Sequence, residues 1–428
     1  MDLYAPHHAY GGPDGLKRFV NAAHRHGLGV ILDVVYNHFG PSGNFLPKFG
    51  PYLTDNYRTP WGDALNLDGE HSREVRRFLC DNALMWLRDY HIDGLRLDAV
   101  HAIFDISAIP FLEQLASEVR TLESQLGRQF MVIAESDLNQ PRLVTSFDAG
   151  GYGLDAQWSD DFHHAIHAYL TGEQAGYYAD FGSLANVAKA LTNPYVYDGI
   201  YSRHRNRIHG RPAASLQADR FVVCIQNHDQ IGNRAKGERL GRLVSRDLLK
   251  IAAALLMTSP FAPLIFQGEE WNASSPFQYF TDHKDPALAQ AVREGRRKEF
   301  AHFVAAADEV PDPQAPETFQ RSKLNWEERD RGEHAEMLAW YRNLIGFRRR
   351  SRRPLRLNQV TADFSESARW MYLRNGSITV VCNFAASETR APLHDPERGL
   401  SVALASKERV KISPDAVEMP PLSVAILE

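Results

Sequence analysis

The 428 residues hold only three cysteines, Cys80, Cys224 and Cys382, far apart along the chain. Such scarcity excludes a disulfide framework and a cysteine-built metal centre, and it fits plain core positions in a reducing compartment. No apolar run approaches the length that crosses a bilayer, and the opening MDLYAPHHAYGG has neither a basic start nor an apolar stretch. A soluble, cytoplasmic protein without membrane contact is expected. An excess of one charge is missing too: 48 Lys+Arg stand against 53 Asp+Glu with no long basic run, which removes the electrostatic case for nucleic acid. The chain does have length beyond one ordinary domain. It also has 11% aromatic residues, many in polar, Gly/Pro-rich segments that suit sugar binding.

Helical spacing of Leu16, Phe19, Val20 and Ala23 predicts a helix over 13–26, stopped at Gly27 and followed by a buried strand over 30–35. Ser72 is placed to cap a second helix with the apolar face Val75, Phe78, Leu79, Ala83, Trp86, Leu87 and Tyr90, ahead of a strand containing Leu95 and Leu97. The unit recurs with a helix over 111–126 before a strand over 130–134, a strand over 221–225, and a helix over 246–257 before a strand over 263–266. Continuously apolar strands alternating with helices indicate an α/β fold with a parallel sheet covered on both faces, and either a doubly wound sheet or a closed barrel fits. After a helix over 335–350 the style changes: 370–373, the turn Asn375-Gly376 and 378–383 read as a hairpin, and 422–427 as a last strand. The expected division is an α/β domain over 1–350 and an antiparallel β domain over 351–428.

Polar residues gather where these strands stop. Asp33, Asn37 and His38 end one, Arg96, Asp98 and His101 the next, Glu135 follows a third, and His228-Asp229 a fourth. One such charge is usually a structural ion pair; four sets at equivalent strand ends mark a site at the C-terminal face of a barrel. In GLRLDAVH, Arg96 and Asp98 stand two apart in a strand and so point the same way. Cleaving a glycosidic bond needs one carboxylate to attack the anomeric carbon and one carboxylic acid to protonate the departing oxygen. Asp98 and Glu135 have those types, and Arg96 can hold Asp98 by a charge-assisted hydrogen bond.

Three further groups take a plainer reading first. His163, His164 and His167 (HHAIH) have helical spacing but lack the glutamate of a zinc-protease helix, so core positions are preferred to metal ligation. Tyr52, Tyr57 and Trp61 suit a packed loop or a sugar platform equally. Phe277, Tyr279 and Phe280, beyond the strand at 263–266, read better as sugar contacts than as loop packing.

DVVYNH, GLRLDAVH, the glutamate after VIA, and QNHDQ resemble, in order, the four signatures of the α-amylase superfamily of glycoside hydrolases. APHHAYGGPDGLK, YNHFGPSGNFLPKFGPY, TPWGDALN, QNHDQIGNRAKGERL and PFQYFTDH are similar to its maltooligosyltrehalose trehalohydrolases across essentially the whole chain. Branching and debranching enzymes share the four signatures and differ in the loops. The resemblance implies a (β/α)8 TIM barrel with a C-terminal antiparallel β-sandwich. It implies hydrolysis of the α-1,4 bond beside the terminal trehalose of maltooligosyltrehalose, with retention, and maltooligosyltrehalose synthase as functional partner. By position it makes Asp98 the nucleophile, Glu135 the general acid/base and Asp229 the third carboxylate. His38 and His228 become the pair holding the sugar at the cleavage point, and His101 reaches the leaving-group side. Arg96, Phe277 and Tyr279 complete the expected substrate contacts. Asn37 matches a calcium ligand of secreted amylases, but the rest of that site is not evident, so neither metal nor cofactor is expected. Against the family pattern, the first strand, first helix and most of the second strand are lacking, as is an N-terminal β-sandwich. The expectation is thus a barrel without its first strand and helix units and with two exposed strand edges.

Overall fold

A computed structural model describes the chain except for residues 1–2, 41–42, 301–309, 352–356 and 394–398. Its first part runs α1 (Gly12–Arg25), β1 (Ile31–Val34), the hairpin β2 (Leu53–Thr59) and β3 (Gly62–Leu65), α2 (Ser72–Asp89), β4 (Gly94–Leu97), α3 (Phe111–Leu126) and β5 (Met131–Ala134). Next come β6 (Ala156–Trp158), α4 (Asp160–Thr171), α5 (Leu184–Thr192), the hairpin β7 (Asp198–Ser202) and β8 (Arg207–Gly210), β9 (Phe221–Cys224) and α6 (His228–Gly232). Helix α7 (Arg246–Thr258), β10 (Ala262–Leu264), α8 (Pro286–Phe300), α9 (Pro316–Ser322) and α10 (Gly332–Ser351) complete it.

Six of these strands form one sheet in the order β1-β4-β5-β6-β9-β10, every pairing parallel. Strands buried on both faces need apolar side chains throughout, and Leu95, Leu97 and Ala134 are fully buried. The register sets Asp33 opposite Arg96, and Leu97 opposite both Val34 and Ala134. The ladder then continues by one rung, Asp98 N–H to Val34 O and Glu135 N–H to Leu97 O, each 3.0 Å. The polar strand ends therefore finish side by side, which is what assembles the site.

Among the described residues, β1 and β10 have no strand on their outer sides. On helix α1, Val20 is buried and Leu16 packs partly buried against the core, while Phe19 is 61% exposed. Ser72 turns out to be the first residue of α2 and not its cap; His71, at φ 61°, stands in the cap position without a side-chain bond. Strand β6 escapes the apolar pattern because it is three residues long with Gln157 at its centre, a buried amide that accepts from the Tyr195 hydroxyl at 2.8 Å.

The last part is antiparallel. A five-stranded sheet, β11 (Val360–Ser365), β12 (Trp370–Asn375), β13 (Ile378–Asn383), β18 (Ser423–Leu427) and β15 (Val402–Ala405), lists its strands here in spatial order. A second sheet orders β14 (Thr389–Pro392), β17 (Ala416–Met419) and β16 (Lys411–Ser413). Trp370, Tyr372, Val381, Val417 and Met419 fill the space between them as a sandwich core. The predicted hairpin forms as β12–β13, turning at Gly376, whose φ of 64° suits a residue without Cβ. Helix α7 is buried nearly all round, residues 252–256 completely, because it packs against both α10 and β18.

Candidate active site

Arg96 is 4% exposed, and burying a guanidinium is costly unless carboxylates surround it. Its Nη1 donates to Asp33 Oδ1 and to Asp98 Oδ1, both at 2.7 Å, and the Trp158 ring covers it with the centroid 4.4 Å from Cζ. Nη2 lies 2.9 Å from Glu135 Oε2 as an ion contact without hydrogen-bond direction. One guanidinium therefore binds three carboxylates from the ends of three adjacent strands. Replacing it by leucine should leave them crowded with no cation, destabilising the protein by about 3 kcal/mol. Urea denaturation of Arg96→Leu measures this, and an unchanged midpoint would contradict it.

The two central carboxylates are held differently. Asp98 also accepts from Asn37 Nδ2 at 2.7 Å, so two directed donors fix both its oxygens. Among the described residues, Glu135 accepts a single hydrogen bond, from the Ala99 N–H at 2.7 Å. Burial, opposed by Arg96 and by that bond, pushes the Glu135 carboxyl up to about 8, which favours its protonated form. The Ala99 backbone takes the left-handed region at φ 39°, which costs a non-glycine residue on the order of 1 kcal/mol and aims its N–H at Glu135. Two part-buried carboxyl groups side by side, one of them favoured in its protonated form, can perform displacement with proton delivery.

Around this centre, the His38 Nδ1 meets the Asn37 side-chain oxygen, and the His38 ring stacks on Trp61 at 4.5 Å and 11°. Burial lowers the His38 pKa from its ordinary value. Trp61, half exposed, comes from the β2–β3 turn, so that hairpin reaches the site; Tyr57 instead stacks on Phe104 and bonds Asp68. Asp229 sits in α6, capped by Asn227, whose Oδ1 accepts from the Asp229 N–H at 2.8 Å; His228 Nε2 is 3.5 Å from Asp229 Oδ1. Trp158, already over Arg96, meets the His228 ring edge-on at 6.2 Å, which joins α6 to the centre.

His101 lies 3.8 Å from Asp137, and Asp137 accepts from Arg205 Nη1 at 2.9 Å. His101 and Arg205 hold the Asp137 carboxyl below its ordinary value against the burial that raises it. A cavity of about 100 Å³ adjoins, lined by His101, Asp105, Ser136, Gln140 and Tyr152. Asp137, two residues beyond Glu135, was open to detection by spacing; Arg205 was not, since it arrives on the β7–β8 hairpin 68 positions away. Phe277 packs edge-on against Phe266, while Tyr279 is exposed over Arg296, whose Nη2 donates to Gly232 O at the end of α6. The structure does not bring these two rings into the Arg96 cluster. Among the described residues, no three His, Cys, Asp or Glu side chains gather as a metal site would require.

Residues 64–391 match the family described as alpha amylase, catalytic domain. A malto-oligosyltrehalose trehalohydrolase of Rhizobium sp. is 49% identical over 431 residues, covering 100% of this chain and 72% of the relative. One from Brevibacterium helvolum is 45% identical, covering 100% and 73%. The crystal structure of a candidate alpha amylase from Salmonella typhimurium superposes with a TM-score of 0.88 at 37% identity, covering 99% of this chain and 72% of that one. On these grounds the chain belongs to the malto-oligosyltrehalose trehalohydrolase family, within the alpha-amylase glycoside hydrolases.

Proposed function

We propose that this protein hydrolyses the α-1,4-glucosidic bond next to the terminal trehalose of maltooligosyltrehalose, releasing trehalose by a retaining double displacement. The observation that carries the reaction class is the pairing of Asp98, held by two directed donors, with Glu135 beside it, whose carboxyl is pushed up to about 8. Family membership at 49% identity supports the substrate.

In the first step an Asp98 oxygen attacks the anomeric carbon as the bond to the trehalose oxygen breaks, and Glu135 gives that oxygen its proton. In the second, the Glu135 carboxylate takes a proton from water, the resulting hydroxide bonds the anomeric carbon, and Asp98 leaves. Asp229 holds sugar hydroxyls, with His38 and His228 at the cleavage point and Arg96 fixing both reacting carboxylates. His101 faces the leaving group, and Phe277 and Tyr279 offer outlying contacts to the glucan.

The test is product analysis. Incubated with maltooligosyltrehalose, the protein should yield trehalose and a maltooligosaccharide shortened accordingly; glucose or maltose without trehalose, or new α-1,6 branches, would refute the substrate assignment. No described helix is long and apolar enough to cross a membrane. A cytoplasmic setting accords with three buried, free cysteines, and a maltooligosyltrehalose synthase would supply the substrate.

A further inference from the structure

The HHAIH stretch of α4 takes no part in the chemistry above, yet its histidines are buried: His163 is 1%, His164 8% and His167 3% exposed. His163 Nδ1 lies 2.7 Å from the carbonyl oxygen of Ile225, and its Nε2 lies 2.7 Å from the Tyr178 hydroxyl. A carbonyl only accepts, so Nδ1 carries the proton and Nε2 accepts from Tyr178. Burial keeps this ring neutral, holding its pKa well below the ordinary value. One turn on, His167 Nε2 meets Glu173 Oε2 at 2.8 Å and its ring stacks on Tyr178 at 4.5 Å. Glu173 in turn receives Arg234 as a two-point pair, Nη1 to Oε2 at 2.8 Å and Nη2 to Oε1 at 2.9 Å.

Ile225 and Arg234 bracket the segment that carries Asp229. It leaves β9 at Ile225, is capped at Asn227, passes through α6 and reaches Arg234 two residues after the helix ends. A helix of five residues cannot hold its own position. We infer that His163 and Glu173 are positioning residues for Asp229, gripping its segment from both ends through the Ile225 carbonyl and the Arg234 guanidinium. This rests on the reading of Asp229 as the third carboxylate of the site. Neither residue touches substrate; each acts through the backbone that presents Asp229.

A double-mutant cycle tests this in the full chain, with maltooligosyltrehalose and plain maltopentaose as substrates. Glu173→Gln, which keeps the shape and removes the charge, should lower kcat roughly 10- to 100-fold with KM changed less than about threefold, as expected when a group is misplaced by about an ångström. Placed on Asp229→Asn, the same change should cost nothing further, because what it positions is already lost. Equal losses in both backgrounds, or no loss in either, would overturn the inference. At the other end, His163→Asn places an amide N–H near the position of Nδ1 and should keep most of kcat, whereas His163→Leu should not; equal losses from the two would count against it. Should His163→Leu fail to fold, the Glu173 cycle decides alone. If the unmodified chain cleaves maltopentaose but frees no trehalose, the substrate assignment falls while the cycle remains measurable. If it cleaves neither, hydrogen exchange decides: Glu173→Gln should accelerate exchange at the amides of residues 229–234 and leave β4 and β5 unchanged, and unaltered rates would overturn the inference.

Discussion

Asp98→Asn is expected to abolish turnover while the protein stays folded. The amide keeps the shape of the carboxylate and can still accept from Arg96 or Asn37, so the packing at the end of β4 is preserved. What it lacks is the charge that bonds the anomeric carbon. A fall in kcat of at least about four orders of magnitude is expected, about 5.4 kcal/mol of lost transition-state stabilisation. Steady-state rates together with a thermal melt decide the matter: an intact melt with a rate within tenfold of the unmodified protein would remove Asp98 from the nucleophile's role.

Glu135→Gln should split substrates by their leaving groups. Release of trehalose requires a proton on a poor leaving oxygen, so that reaction should fall by about three to four orders of magnitude. An activated aryl glycoside accepted by the unmodified protein needs no such proton, and its first step should persist as a burst of phenol. The pH profile gives a second reading. Glu135 works as an acid only while protonated, and its carboxyl is pushed up to about 8, so kcat/KM should be lost as pH rises through about 8. That alkaline limb should vanish from the residual activity of Glu135→Gln. A burst-free variant, or one that retains the limb, would move the acid's role elsewhere.

The parts of the molecule that could be read from sequence are those in which one local pattern determines the outcome. Five of the six parallel strands announce themselves by short apolar runs, broken only by Asp33 and Arg96, and those charges stand out because buried strands tolerate few. Strand β6 was hidden because it is three residues long and centred on Gln157, whose side-chain oxygen accepts from Tyr195, 38 positions away. The contribution of Arg205 to Asp137 was hidden for the same reason: a hairpin delivers it across 68 positions. Trp61 was legible as an aromatic in a polar turn, but only the fold of β2–β3 brings it onto His38. Helix α1 fits its predicted face at Val20 and Leu16, which pack into the core, but not at Phe19, which stays exposed. Spacing reports what a segment could bury, and the neighbouring elements decide what it does bury.

The peptide between Asp98 and Ala99 has a consequence for anyone who wants to retune this enzyme. Its carbonyl accepts from Asn37 at 2.8 Å and its N–H donates to Glu135, so a single planar unit links Asp98, the proposed nucleophile, to Glu135, the proposed acid. Rotating that plane would alter the hydrogen bond to Glu135 and the position of Asp98 together. On the proposed roles, acid strength and attack geometry are coupled through it. Selection for activity at higher pH will favour changes beneath residues 97–100 as readily as changes beside Glu135, and variants found that way should shift their alkaline limb and their kcat in concert.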